Sequence, residues 1–435
     1  MKNPHYFKLF LFFAFIAIVG CSKKEDPIGV AVEDLSIVLT SDVGTGELEV
    51  VTEGQMVNFT VTGSDEVDYT STAKLYVNDV EISSASHPFT TTGTFAVKAV
   101  LGDITSNILN FEVLSETQRA LTIDVNRAFR NQTITFGLLD SNGENSAADA
   151  TFYVNSAAIS GFTFSSASEG SFEVYAKYMV NGEEYTSATK NFSVFIPKKN
   201  VVLEDYTGTW CGFCLDAIVA VETVKSLTDH VTVVAIHKES GGVFEPLHFD
   251  RIDELQAEFG VPDGFPQTQL DRATNWKKVP SYDYDAVMAL AGVETDMSIA
   301  INSQITGSNL TVDVKVVYEN GSEPGDKLVV YLLENGVIAD QVNYFNNVSG
   351  HPYQGAGNPI KDFEHNEGLR NTLSDLFGDP IPDTPAYQEF KKSYSFNVPS
   401  DYNAANLSLA VMVVKADNAA KNSQHAEIGQ SKDYQ

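Results

Sequence analysis

The sequence has few cysteines, few basic residues and a single long apolar run. Three cysteines in 435 residues are too few for a disulfide-stapled scaffold. Lys and Arg total 28 against 58 Asp and Glu, which leaves a net charge of −30 and excludes nucleic acid as a partner, because phosphate binding needs clustered cations. The one long apolar run lies at the N-terminus, so no later segment is expected to span a membrane.

That N-terminal run reads as a targeting segment. Lys2 and Lys8 precede the apolar residues 9–19, and the small Gly20 precedes Cys21. Ile18-Val19-Gly20-Cys21 resembles the lipobox of bacterial lipoproteins, which implies cleavage before Cys21 and a membrane anchor through lipid on Cys21. Residues 1–20 are then the signal peptide and residues 21–34 the lipidated cysteine and its tether. An uncleaved anchor or a simple secretory signal is the alternative.

Residues 35–115 and 117–197 form an internal repeat with a strand pattern. Tyr76-Val77-Asn78 recurs 77 residues later as Tyr153-Val154-Asn155. Short alternating apolar runs separated by Gly, Asn, Asp and Ser predict two tandem immunoglobulin-like β-sandwiches. Such modules serve as spacers or as binding surfaces for a glycan or a protein, and we expect spacers.

After residue 197 the pattern changes to alternating strand and helix, and then back to strand. Residues 198–293 contain a predicted strand at 201–206, a helix at 215–227, a buried strand at 231–236 and a second helix at 249–259. Residues 296–435 predict a C-terminal β-sandwich with a long inserted loop at 343–386, rich in Gly, Asn, Pro and Asp. The predicted class is therefore a multidomain protein with a thioredoxin-like α/β domain between β-sandwiches, because a Cys-x-x-Cys stands at the first turn of the βαβ unit.

The chemistry of that motif, Trp210-Cys211-Gly212-Phe213-Cys214, follows from its expected position at a helix start. Free N–H groups and the partial positive charge there lower the pKa of a thiol. Cys211 is then the nucleophile that attacks a disulfide, and Cys214 resolves the mixed disulfide. The intervening Gly212 and Phe213 tune the redox potential and leave the direction of exchange open. No organic cofactor or metal is needed, and protein thiols or disulfides are the expected partners.

Two further positions resemble those of thioredoxin-like proteins. Gly264-Phe265-Pro266 is similar to the loop whose cis-proline packs against the active-site disulfide, and the match falls on Pro266. Asp205 matches the buried acid that accepts a proton from the resolving cysteine. The adjacent Glu204 is an alternative for that role, and a solvent-facing strand end is the alternative for Asp205.

Beyond these positions, the chain resembles the outer-membrane-protein-28-related lipoproteins. The resemblance rests on residues 203–214, on Gly264-Phe265-Pro266 with Asp271-Arg272, and on residues 365–370. It implies a thioredoxin-like domain followed by a β-sandwich in an outer-membrane protein, facing the periplasm or the cell surface. Two functions stay open at this point. One is a lipid-anchored thiol–disulfide oxidoreductase; the other is a non-catalytic surface lipoprotein that binds a glycan or protein, with Cys211–Cys214 a structural disulfide.

Overall fold

The computed structural model describes residues 35–44, 48–278 and 281–435. The expected signal peptide, the tether and the lipidation site Cys21 lie outside the described residues. The chain divides into two units. The first contains the described residues up to Arg119 together with Asp140–Glu144, and the second contains Ala120–Leu139 and Asn145–Gln435.

The first unit is a β-sandwich. Its strands are β1 (Ile37–Ser41), β2 (Glu49–Thr52), β3 (Met56–Gly63), β4 (Lys74–Val77), β5 (Val80–Ile82), β6 (Ser86–Pro88), β7 (Gly93–Leu101), β8 (Ile104–Thr105) and β9 (Leu109–Leu114). One sheet has the order β1-β3-β6 and the other β2-β9-β7-β4-β5, with β8 beside β7. In β3 buried and exposed residues alternate strictly, because one face of the sheet covers the core and the other meets solvent.

The second sandwich, in the second unit, repeats this arrangement. Its strands are β10 (Ala120–Ile123), β11 (Arg127–Phe129), β12 (Ile134–Leu139), β13 (Thr151–Val154), β14 (Ala157–Ala158), β15 (Thr163–Phe164), β16 (Gly170–Val180), β17 (Glu183–Thr186) and β18 (Lys190–Phe195), with a 3-10 helix at Ala147–Asp149. Tyr153 pairs with Tyr175, just as Tyr76 pairs with Lys98 in the first sandwich. The repeat seen in the sequence is therefore a repeat of strand register, and the prediction of tandem β-sandwiches is confirmed.

An α/β segment follows. It contains β19 (Val201–Thr207), α1 (Cys214–Leu227), β20 (Val231–His237), α2 (Ile252–Glu258), β21 (Gln267–Leu270), β22 (Lys277–Lys278), β23 (Ser281–Tyr282) and α3 (Tyr284–Met288). β19 lies between β20, to which it is parallel, and β21, to which it is antiparallel. Every residue of β19 is buried, which suits a central strand covered on both faces.

The remaining strands belong to the C-terminal region. They are β24 (Met297–Thr306), β25 (Asn309–Tyr318), β26 (Lys327–Glu334), β27 (Val337–Gln341), β28 (Ile360–His365), β29 (Gly368–Thr372), β30 (Asp379–Pro380), β31 (Glu389–Asn397), β32 (Leu407–Val414) and β33 (Ala420–Glu427), with a 3-10 helix at Ala404–Asn406. A three-stranded sheet, β24-β25-β31, packs through a shared apolar core against β26 and β32.

One sheet crosses the boundary that the sequence predicts at residues 293–296. Its order is β21-β19-β20-β29-β26-β32-β33, with β30 beside β26, and β20 meets β29 at Ala235 and Gly368. The region 343–386, expected to be a long loop, contributes β28, β29 and β30. The α/β segment and the C-terminal strands thus share a continuous sheet, and the inserted region carries part of it.

Candidate functional site around the Cys211–Cys214 disulfide

The two cysteines lie in the turn between β19 and α1. Cys214 is the first residue of α1, and Cys211 precedes the helix in a turn in which its N–H donates to the carbonyl of Gly208. Asp216 in the first turn and Lys225 in the last turn of α1 complement the helix dipole. The cysteines form a disulfide with a Cα–Cα distance of 5.4 Å. The structure therefore brings Cys211 and Cys214 together at the helix start that the sequence predicts.

Cys211 is nevertheless covered. The residue is 4% exposed, and Cys214 is fully buried. Residues 341–345, which we call the cap segment, lie over the turn: the Val342 N–H donates to the Thr209 carbonyl at 2.8 Å, and the Tyr344 N–H donates to the Gly212 carbonyl at 3.1 Å. The side chain of Gln341 donates to the carbonyl of Cys211 at 3.0 Å. The backbone around the disulfide is thus paired with another part of the same chain.

The cap segment is held by its own hydrogen bonds. Asn343 is 1% exposed, and its amide donates to the carbonyls of Tyr353 and Gly357 while its oxygen accepts the N–H of Phe345. Its backbone N–H donates to the side chain of Asn358. Buried polar groups that are fully paired define a loop conformation, so the cap is a built part of the fold.

Aromatic rings surround the covered disulfide. Phe213 and Tyr344 are 56% and 55% exposed and meet edge to face at 5.0 Å, and the ring of Phe345 also meets that of Phe213 edge to face, at 5.9 Å. Gly212 lies under the Tyr344 ring, because a Cβ there would stand 2.5 Å from the ring carbons. Trp210 stacks on Phe265 and donates its indole N–H to the carbonyl of Lys238. The Phe265–Pro266 peptide bond is cis.

Asp205 and Glu204, the two candidate proton acceptors, have opposite environments. Glu204 is fully buried and ion-paired with Arg272 at 2.8 Å, so its charge is already neutralised. Asp205 is buried with its Oδ1 unpaired among the described residues. Burial raises the pKa of Asp205 to about 7, and the charge of Lys277 only partly opposes that rise. Asp205 can therefore exchange a proton near neutral pH.

A cluster of buried polar side chains, which the sequence did not predict, is hydrogen-bonded to the turn. The buried Glu245 carboxylate accepts the N–H and the hydroxyl of Thr209, at 2.6 and 2.9 Å, and bonds to Nδ1 of His237 at 3.1 Å. The ring of His365 meets that of His237 at 5.5 Å. Burial, with the charge of His237 adding to it, lowers the pKa of His365 to about 4. These residues lie too far apart in the chain for any local spacing to reveal them.

Asp205, His237 and His365 border a cavity of about 60 Å³, which residues of α1, β20 and β28 also line. Among the described residues no group of three or more His, Cys, Asp and Glu side chains could hold a metal ion. No helix in the described part of the chain is long and apolar enough to cross a membrane.

Fold and site together define a multidomain β-sandwich protein whose α/β segment carries a covered disulfide. Residues 252–432 match the family model described as "Outer membrane protein Omp28". Over this region the chain is similar to the Omp28 family, and the match supports the expected location in the outer membrane. The family expectation is therefore confirmed, but the match begins after the Cys-x-x-Cys motif and leaves the thioredoxin-like part untested.

Comparison with other proteins adds local similarities. No curated protein matches the chain. Among solved structures, HBP35 of Porphyromonas gingivalis is 18% identical with a TM-score of 0.40, over 53% of this chain and 76% of that one. The fibronectin(III)-like modules of Clostridium thermocellum CbhA are 20% identical with a TM-score of 0.17, over 36% of this chain and 93% of theirs. Domains 5–6 of the S-layer protein SbsC are 15% identical with a TM-score of 0.15, over 37% and 99%. All three TM-scores are below 0.5, so these similarities say nothing about function.

Proposed function

We propose that the protein is a non-catalytic, lipid-anchored outer-membrane protein that binds a glycan or protein through its β-sandwiches. In this role Cys211–Cys214 is a structural disulfide. Lipid on Cys21 would tether the chain, and the two immunoglobulin-like modules would serve as spacers. The similarity of residues 252–432 to the Omp28 family supports the location, and the covered disulfide supports the absence of redox chemistry.

The observation that carries this proposal is the burial of Cys211 beneath the cap segment. Thiol–disulfide exchange requires a thiolate to approach the sulfur under attack, so a reactive pair must present an accessible sulfur. Here the residue is 4% exposed, and Cys211 and Gly212 offer their carbonyls to Gln341 and Tyr344. An incoming peptide would have to displace those contacts before it reached the disulfide.

An insulin-reduction assay on the full chain tests the proposal. With dithiothreitol as electron donor, insulin should be reduced at the same rate with wild type, with Cys211→Ser and without added protein. A reactive thioredoxin serves as the positive control. Acceleration by wild type that disappears in Cys211→Ser would overturn the non-catalytic assignment.

A second candidate, a thioredoxin-like oxidoreductase, is favoured by Asp205. β19 lies between a parallel and an antiparallel strand, the cysteines follow it, and the unpaired Asp205 carboxyl borders a cavity with room for water. In that role the Cys211 thiolate would attack a substrate disulfide to form a mixed disulfide. Cys214 would pass its proton to Asp205 and displace the substrate dithiol, regenerating the protein disulfide. A partner dithiol would then reduce the Cys211–Cys214 disulfide with two electrons and two protons and would itself become a disulfide.

Removing the aromatic ring of the cap segment distinguishes the structural disulfide from the oxidoreductase. Tyr344→Ala takes away the ring that covers Gly212, whereas Ile338→Ala removes an exposed side chain from β27 and serves as the control. If the pair is structural, neither variant reduces insulin. Activity that appears in Tyr344→Ala alone would favour the oxidoreductase.

A further inference from the structure

A cleft of about 590 Å³ lies on the outer face of the three-stranded sheet β24-β25-β31. Its floor is formed by two rows of paired residues that cross the three strands. One row is Ala300, Lys315 and Lys391, and the next is Asn302, Asp313 and Ser393. The cleft lies within the range of about 300–1,000 Å³ found for small-ligand sites.

The C-terminal residues 431–434 form a fixed wall of this cleft. The Ile301 N–H donates to the Lys432 carbonyl at 2.9 Å, and the Ser431 hydroxyl donates to Asn302 at 2.7 Å. Tyr434 reaches Glu389 on β31 with its hydroxyl at 2.8 Å. Because both ends of the wall are bonded to the sheet, the cleft exists before any ligand arrives, which limits the entropy lost on binding.

Cationic side chains outnumber carboxylates around the cleft, whereas acidic residues outnumber basic ones in the whole chain. The cationic side chains are Lys315, Lys391, Lys392, Lys432 and Arg127, and the carboxylates are Asp313, Glu389, Asp433 and Asp379, which makes five against four. The chain as a whole has 28 basic and 58 acidic residues. Lys315 and Lys391 share the Glu389 carboxylate at 3.6 and 2.9 Å, so neither ammonium group has a carboxylate of its own.

We propose that this cleft binds an acidic saccharide, one that carries a carboxylate on its sugar ring. The inference rests on the proposed binding function and names its site and ligand class. Lys315, Lys391 and Lys432 would pair with the carboxylate. The hydroxyls of Ser393 and Ser431 and the amide of Asn302 match sugar hydroxyls, and the Tyr434 ring offers an apolar surface for a sugar face.

The charge balance also limits the size of the ligand. An excess of one positive charge suits a single carboxylate. A long polyanion would extend beyond the cleft and be repelled by the protein, because the whole chain has a net charge of −30. A short oligosaccharide with carboxylates spaced by neutral sugars fits both conditions.

Calorimetric titration of the full chain with a tetrasaccharide of alternating glucuronic acid and N-acetylglucosamine tests the inference. The neutral control ligand is a tetrasaccharide of N-acetylglucosamine. We expect saturable binding of the acidic ligand alone, weakened about tenfold by each of Lys315→Gln and Lys391→Gln, because each removes one charge-assisted hydrogen bond. Lys361→Gln, at an exposed ion pair with Asp340, is the matched control and should bind like wild type.

The outcomes separate this inference from the proposed function. Absence of saturable binding, or equal binding of the neutral tetrasaccharide, would overturn the acidic-saccharide assignment. Unchanged affinity in both lysine variants would overturn the site while leaving a binding role for the sandwiches. Insulin reduction by wild type would overturn the non-catalytic function without affecting the titration.

Discussion

Glu204 and Asp205 are neighbours on β19 but point to opposite faces of the sheet. Glu204 lies with Arg272 and Tyr331, and Asp205 faces the side covered by α1. The Arg272 guanidinium donates to both the Glu204 carboxylate and the Tyr331 hydroxyl, at 2.8 and 2.6 Å. Because side chains alternate along a strand, one residue of offset separates a neutralised carboxylate from an unpaired one.

Asp205→Asn should make stability less dependent on pH. Burial raises the pKa of Asp205 to about 7 from 3.8, so the folded chain holds a proton that the unfolded chain has lost. The stabilisation is complete below pH 4 and is lost as pH rises through 7. Between pH 5 and pH 8 wild type should lose about 3 kcal/mol relative to the variant.

Urea unfolding followed by tryptophan fluorescence measures this difference, because both tryptophans, Trp210 and Trp276, lie in the α/β segment. Asp263→Asn, at an exposed aspartate of the same segment, controls for the chemical change. A stability difference between wild type and Asp205→Asn that is constant from pH 5 to pH 8 would contradict the assignment.

Arg272→Met should destabilise the same segment strongly. The substitution leaves the Glu204 charge buried without its partner, and breaking a buried pair costs about 3–5 kcal/mol. Arg251→Met breaks an exposed pair with Glu254 and should cost far less, because solvent screens exposed charges. The same urea titration reports both values, and similar losses in the two variants would refute the buried-pair interpretation.

At this scale the sequence could predict the cysteine pair, but not the partners of the residues around it. Cys211 and Cys214 are close in sequence, and the helix that begins at Cys214 follows from local periodicity. The ion pair of Glu204 with Arg272 and the support of Thr209 by Glu245 depend on residues 68 and 36 positions away. Local spacing therefore favoured Asp205 but left Glu204 as an alternative for the same role.

At the scale of elements, the cap segment covers the turn that carries the disulfide. The predicted elements α1 and β20 appear within one residue of their expected bounds, because apolar periodicity determines both. The region 343–386 was expected to be a loop, since Gly, Asn and Pro interrupt every local pattern. Its pairing through Tyr344 and Gly212, and through β29, is a tertiary interaction that no local pattern encodes.

Gly212→Ala should loosen the cap. The new Cβ would stand 2.5 Å from the Tyr344 ring, so the ring must move or the segment must lift. Overpacking of this kind costs about 1–3 kcal/mol. We expect the disulfide to be reduced faster by a phosphine in this variant than in wild type, as followed by mass spectrometry of the alkylated thiols.

Gly170→Ala is the matched control, because its Cβ would meet Phe172 at 3.7 Å, an ordinary contact distance. That variant should be reduced at the wild-type rate. Equal rates for Gly212→Ala and wild type would show that Tyr344 does not protect the disulfide.

At the scale of the whole molecule, the sequence predicted the order of the modules. It did not predict which of them share a sheet. The repeat at an offset of 77 residues predicted two sandwiches, and the structure shows that they also share a strand register. The boundary predicted at residues 293–296 falls inside a region that shares one sheet, because β20 pairs with β29 across it. A change in the sequence pattern marks where one type of secondary structure gives way to another. Whether the two regions share a sheet depends on tertiary pairing, which the pattern does not show.

Cys21→Ser should abolish the attachment of lipid and so release the whole protein from the membrane. The lipobox predicts that lipid is attached to the sulfur of Cys21, so the variant should lose metabolic labelling with palmitate and leave the membrane fraction. Ser22→Ala, beside the same site, should keep both the label and the membrane location. Palmitate labelling that persists in Cys21→Ser would contradict the anchor.

The central claim, that the Cys211–Cys214 disulfide is structural and covered, is tested most directly by differential alkylation. The folded chain is treated with a mild reductant and iodoacetamide, and the peptides that contain Cys211 and Cys214 are analysed by mass spectrometry. We predict that both cysteines stay unmodified until urea unfolds the chain. Rapid alkylation of Cys211 in the folded chain would show an accessible, exchangeable sulfur and contradict the account.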